Sequence, residues 1–322
     1  TRRSSDLSEK HQRNEPLFAE PPREGFPGHE QEDVLIELLT EIYGLVSGPP
    51  GWRKTLLTEL KSLGFKRHPL APCVVLMYDK PQELCGVLVI ETDDLLGGGN
   101  HPKFHDAVAK LRKRFNFGSW TQLMDKPTQY GGRTLTQRKD FVVEISMYRY
   151  LKEKGRPIRI AKNRKDDQMA DQNEITAMRG LLGRLNWATR EGMPQGCGDC
   201  SMLASKMPNP KVKDLRDCNA ALRRLLAEET SIKIFPIPMD KLRILLFTDA
   251  SLGNTPDGGT QLSYICCATQ SMLADGKTAP VSVLTYKSHC VTRSGSNVLF
   301  TESNALREGL AYAEWMTTWF YF

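Results

Sequence analysis

The chain has 322 residues, 40% hydrophobic and 25% charged, with a formal net charge of +6. That is ordinary globular composition, and no stretch approaches the length of a membrane span. The length allows two domains or one large one, and the mild positive balance permits a polyanionic partner without requiring one.

Eight scattered cysteines (Cys73, Cys85, Cys197, Cys200, Cys218, Cys266, Cys267, Cys290) form no even framework, and no signal peptide precedes them. Reduced thiols in an intracellular protein, cytoplasmic or nuclear, are therefore expected. The chain starts at Thr1 without a methionine and stops at Phe322 inside a helical pattern, as a piece of something longer would.

Residues 1–30 are polar, charged and rich in Pro and Gly, with no periodicity, and read as loop or partly disordered chain. Residues 33–43 mix strand and helix patterns. Beyond Trp52, Leu56, Leu57, Leu60 and Leu63 fall at helical spacing and Gly64 closes the helix. Residues 72–78 form a strand and Asp79-Lys80-Pro81 a turn.

A second strand, Val87 to Ile90, is apolar enough for burial on both faces. It runs into Glu91, Thr92, Asp93 and Asp94, then Leu95, Leu96 and three glycines, which describes a tight hairpin with carboxylates at its bend. Two adjacent aspartates repel each other and lose hydration against such a strand. Mg²⁺ held by one or two carboxylates plus phosphates would compensate them; a solvated Asp-Asp turn is the alternative.

Residues 101–117 are amphipathic. Phe104, Val108, Leu111 and Phe115 share a face, surrounded by Lys103, Lys110, Arg112, Lys113 and Arg114. That basic surface either tracks phosphates or is simply solvated. His101 and His105, spaced i, i+4, have no third ligand nearby. Residues 120–150 alternate like strands around a Gly131-Gly132 turn and then enter a helix. A charged connector, residues 157–172, precedes a helix carrying Ile175, Met178, Leu181, Leu182 and Leu185. Cys197-Gly198-Asp199-Cys200 lacks the second pair a zinc site needs, and residues 215–229 form a further basic amphipathic helix.

A second acidic centre follows. Residues 244–248 form an apolar strand ending in Asp249, and residues 262–268 and 281–286 supply two more strands. In the last helix Leu299, Leu306, Leu310 and Ala313 share a face with Glu302, while Glu308 lies opposite and reads as solvated. A carboxylate on a buried face requires a partner, either Arg293 or a metal.

Taken in register, Tyr43, Gly44, Leu45, Pro49, Trp52, Gly64, Phe65, Pro72, Cys73, Asp93 and Asp94 resemble the palm of copia-type retrotransposon reverse transcriptases. In that family Tyr-Gly-Leu-x-x-x-Pro-x-x-Trp precedes a helix, a Gly-Phe and an acidic box. Phe18-Ala19-Glu20-Pro21-Pro22 with Gly25-Phe26 resembles the segment after the first palm motif, and residues 183–190 resemble the connection. Thr248-Asp249-Ala250-Ser251, Tyr286-Lys287-Ser288, Arg293-Ser294 and Thr301-Glu302 resemble the family's ribonuclease H domain. Glu91 stands where Tyr is usual in the acidic box, and Ala71 where Asp is common before Pro-Cys.

The resemblance covers nearly the whole chain. It implies an α+β and α/β fold: a polar segment (1–30), palm and thumb without fingers (31–155), a helical connection (156–240) and a truncated ribonuclease H-like domain (241–322). It implies RNA-directed DNA polymerase and ribonuclease H chemistry with Mg²⁺ or Mn²⁺ on Asp93, Asp94, Asp249 and Glu302. The implied partners are an RNA template, a DNA primer, their hybrid and deoxynucleoside triphosphates, with no membrane. The family's first palm aspartate and later ribonuclease H carboxylate have no counterpart in these residues, so the chain as it stands is expected to be inactive. A decayed or repurposed fragment that binds nucleic acid without catalysis is the alternative, and an unrelated α/β binding protein a third.

Overall fold

A computed structural model describes residues 16–20, 35–38, 45–46, 48–115, 117–254, 258–291 and 297–320. The chain divides into two compact units, Thr1–Trp120 and Thr121–Phe322. Tyr43, Gly44, Gly25, Phe26 and Arg293, on which part of the family resemblance rests, lie outside the described residues.

In the first unit, β1 (Phe18–Ala19) pairs with β2 (Ile36–Glu37). Helix α1 (Gly48–Ser62) buries Trp52, Leu56 and Leu60, a stripe at i, i+4, i+8. It ends as its sequence demands. Gly64, at φ +93°, donates its N–H to the Lys61 carbonyl (3.1 Å), and Phe65 donates back to Leu60 (3.0 Å), the paired bonds of a Schellman cap. Strands β3 (Lys66–Arg67), β4 (Val74–Tyr78), β5 (Leu84–Glu91) and β6 (Asp94–Gly98) form one antiparallel sheet in that order. Helix α2 (Pro102–Arg114) packs Phe104, Ala107 and Leu111 into the same core as Trp52, Leu56, Leu88 and Ile90. The two-sided burial expected of β5 is not reached: Leu88 and Ile90 enter the core, while Val87 and Val89 are half-buried.

In the second unit, β7 (Thr128–Tyr130), β8 (Arg133–Gln137) and β9 (Val143–Ser146) form a meander, and the turn between β7 and β8 holds Gly131 and Gly132 at positive φ. Helices α3 (Tyr148–Lys154), α4 (Gln172–Glu191), α5 (Cys197–Ala204) and α6 (Val212–Ala227) share a core of Met147, Leu151, Met178, Leu185, Leu215 and Leu222. Residues 121–155 thus pack with the helical stretch that follows them. Asp171 and Glu174 form a reciprocal capping box that starts α4. Strand β10 (Ile232–Ile234) joins β9. A second sheet, β11 (Leu242–Ser251), β12 (Thr260–Gln270) and β13 (Ser282–Val291), is covered on one face by α7 (Val298–Phe320).

Every strand pairing among the described residues is antiparallel. The architecture is α+β, and the α/β half of the expectation is not formed. The connections between β11, β12 and β13 are too short to carry a crossover helix, so the three strands can only meander. No helix among the described residues is long and apolar enough to cross a membrane.

Candidate functional site

The β5–β6 register pairs Glu91 with Asp94, which leaves Thr92 and Asp93 as a two-residue turn. Thr92 sits at φ +53°. That is an unfavourable place for a β-branched side chain, whose Cβ crowds the carbonyl in left-handed backbone. The turn is held from below by Trp52, whose indole Nε1–H donates to the Thr92 carbonyl at 3.0 Å. Trp52 is itself locked in the core, edge-on to Phe115 with ring centroids 5.1 Å apart. Asp93 and Asp94 are both half-buried, and the Asp94 Oδ1 atom is buried with no hydrogen-bond donor. A lone buried carboxylate oxygen is costly without positive charge or a donor beside it.

Among the described residues no three His, Cys, Asp or Glu side chains gather at one point. Asp93 and Asp94 are adjacent at the bend, one in the turn and one at the first position of β6, too few ligands for a site built of protein alone. The His101/His105 pair is no ligand set either: the His101 Nδ1 accepts from the Lys103 amide (3.3 Å) and caps α2.

The basic residues of α2 are distributed rather than focused. Lys103 donates to the Tyr78 carbonyl (2.7 Å) and lies 3.9 Å from Asp79. Lys110 pairs with Asp106 (2.8 Å), Arg114 approaches Glu59 (3.8 Å), and Arg112 stacks over Trp120 at 4.8 Å. Exposed pairs of this kind contribute little stability.

The second acidic centre differs from its sequence reading. Strand β11 is an edge strand of its sheet, and Asp249 is exposed. Leu246 and Thr248 face α7, because a Cβ on Gly309 would stand 2.8 Å from the Thr248 Cγ2 and 3.0 Å from a Leu246 methyl. Side chains alternate along a strand, so Asp249 points to the other face, where it lines a cavity of about 280 Å³ with Cys197, Phe247, Ser263 and Ser288. Glu302 lies half-buried on α7, on the opposite side of the sheet. The structure does not bring these two carboxylates together.

Helix α7 also turns a different face inward. Thr301, Ala305 and Gly309 are buried, while Leu299, Leu306 and Leu310 are 76%, 46% and 45% exposed. Small residues at i, i+4, i+8 let the helix lie close on β11, a signal present in the sequence but outweighed there by the larger apolar stripe. Glu308 is not merely solvated. It accepts from Lys287 (2.6 Å) and lies 3.3 Å from the His289 Nε2, both on β13. Burial holds the His289 imidazole below its ordinary value of 6.5, against the opposing pull of Glu308 and with some help from Lys287.

Between α4 and β13 the Tyr286 hydroxyl donates to the Thr189 and Arg190 carbonyls (2.8 and 3.0 Å), closing the last turn of α4. The Cys-x-x-Cys thiols sit in α5, and all eight cysteines are free. Burial pushes the Cys200 thiol up to about 11 and the Cys218 thiol to about 12. Comparisons with protein-family models, with curated proteins and with solved structures find no match to this chain.

Proposed function

We propose that the chain is a copia-type retrotransposon polypeptide whose first unit carries the acidic hairpin of a reverse transcriptase. Its partners would be an RNA template, a DNA primer and deoxynucleoside triphosphates. One observation carries this reading: the Asp93–Asp94 hairpin stands on a strained turn, is tied to the core by Trp52, and leaves a buried carboxylate oxygen unpartnered. Strain held in place by a buried hydrogen bond is how a fold keeps charged groups in a working orientation against their own repulsion. When bound, Mg²⁺ or Mn²⁺ would neutralise charge on the reacting phosphate. The chain's own part is to hold Asp93 at the tip and Asp94 at the first strand position, and to offer the α2 cations to a backbone.

A second reading applies to residues 242–320. Their order, strand with Asp249, two further strands, then a helix with Glu302, supports a ribonuclease H-like ancestry. The separation of those carboxylates to opposite faces of the sheet favours a unit that binds hybrid without cutting it.

The test is binding of a labelled RNA–DNA hybrid, with and without Mg²⁺. Charge reversal of Lys110, Arg112 and Lys113 is expected to weaken binding across sequences and to lower the slope of log affinity against log salt by about one per lost phosphate contact. Mg²⁺ is expected to raise the melting temperature of the wild-type chain but not of Asp93→Asn/Asp94→Asn. An unchanged salt slope together with Mg²⁺-indifferent melting would overturn the reading. The chain alone is expected to extend no primer, since the described residues supply only a pair of palm carboxylates.

A further inference from the structure

The first unit carries a recess that the polymerase reading leaves unused. It lies between α1 and the edge strand β3, with a volume of about 770 Å³, and Leu57, Leu60, Phe65 and Val75 form its floor. Leu60, Phe65 and Val75 are buried core residues, so the floor is the flank of the hydrophobic core itself. The rim holds Arg53, Lys54, Lys61, Lys66 and Arg67, and no acidic residue lines it.

Arg53 is already engaged, donating to the Pro72 carbonyl (2.6 Å) and the Cys73 Sγ (3.3 Å). The other four cations have no ion pair or side-chain hydrogen bond among the described residues. Four uncompensated positive charges around an apolar recess repel one another, and their summed field selects an anionic occupant. The apolar floor adds a second requirement: the occupant must bring hydrophobic surface as well as negative charge.

The cations are also spaced. Lys54 and Lys61 are seven residues apart on α1, two turns or roughly 10 Å along the axis. Leu57 stands between them, while Lys66 and Arg67 border the recess from β3.

We propose that this recess is a docking groove for an acidic amphipathic helix of a protein partner. Its apolar face would lie on the half-buried Leu57, over the core edge formed by Leu60, Phe65 and Val75, and carboxylates at i and i+7 would match Lys54 and Lys61 across the same two turns. A nucleic-acid strand satisfies less of the site. No exposed aromatic ring lines the recess to stack a base, and a phosphate backbone brings no apolar surface to the half-buried Leu57. A single-headed anionic amphiphile reaches one cation cluster and leaves the other unpaired.

The test uses fluorescence anisotropy with the whole chain and a labelled model peptide bearing Leu at i, i+3, i+4 and i+7 and Glu elsewhere. A scrambled peptide of the same composition and an oligothymidylate serve as comparisons. The patterned peptide is expected to bind saturably, and the scrambled one at least about tenfold more weakly, or roughly 1.4 kcal/mol. Lys54→Glu/Lys61→Glu, two exposed positions whose replacement leaves the core intact, should cost a similar factor. Leu57→Gln, which removes apolar surface and no charge, should weaken binding without changing its salt dependence, with a thermal melt showing that the unit stays folded.

Equal binding of the two peptides, or indifference to the charge reversal, overturns the proposal. So does oligothymidylate binding that the reversal abolishes while the peptide fails to bind. Absence of saturable peptide binding also overturns it and leaves the cations as guards of the β3 edge against strand pairing. None of these measurements involves Asp93 or Asp94, so failure here and failure of the polymerase reading are distinguishable.

Discussion

Replacing Thr92 by glycine is expected to stabilise the first unit, although glycine usually weakens a fold. A non-glycine residue in left-handed backbone costs about 1–2 kcal/mol, and a β-branched one belongs at the upper end. Glycine removes that cost but adds roughly 0.5–1 kcal/mol of unfolded-state entropy. The net gain is about 1–1.5 kcal/mol, worth several degrees of melting temperature in a unit of this size. Trp52→Phe works in the opposite direction. It removes the 3.0 Å bond to the Thr92 carbonyl and part of a core aromatic, for a loss of about 2 kcal/mol. If that bond is what holds Thr92 at φ +53°, the two changes should not add. In the Trp52→Phe background the turn can relax, so Thr92→Gly should gain less than it does alone. Urea denaturation by circular dichroism gives the four free energies of the cycle, and amide exchange in residues 84–98 assigns the change to the hairpin. A neutral or destabilising Thr92→Gly would refute the strain argument, and strict additivity would refute the role given to Trp52.

Other expected outcomes follow from the second unit. Gly309→Ala should cost about 1–3 kcal/mol despite alanine's better helix propensity, because its Cβ meets Thr248 and Leu246; Thr248→Ser should restore part of the loss in a thermal melt, and an unaffected melt would deny the close packing of α7 on β11. The folded imidazole of His289 titrates below its unfolded value, so its contribution is complete above about pH 6.5 and is lost as pH falls through the lower folded value. Denaturation midpoints should therefore drop more for the wild type than for His289→Gln on going from about pH 7.5 to about pH 5.5, with equal drops counting against the assignment.

Features set by residue spacing are local. Gly64 closes α1 because only its backbone accepts φ +93° cheaply, Gly131 and Gly132 turn β7 into β8, and Asp171 and Glu174 start α4. The Asp93–Asp94 hairpin belongs with them, since an apolar run, an acidic pair and a glycine-rich exit leave the backbone one short route. The tertiary structure alone decided which side each group faces. Asp249 is legible as the end of a strand, but its side depends on how β11 lies against α7, and contact with Gly309 takes Leu246 and Thr248 to the helix and sends Asp249 the other way. Helix α7 carries two inward candidates in its sequence, and the smaller stripe of Thr301, Ala305 and Gly309 wins because close approach to the sheet leaves no room for leucine. Glu308, solvated by helical periodicity, gains Lys287 and His289 only once β13 is in place. Caps and turns are set by residues a few positions apart, whereas faces and partners are set by contacts that no local spacing records.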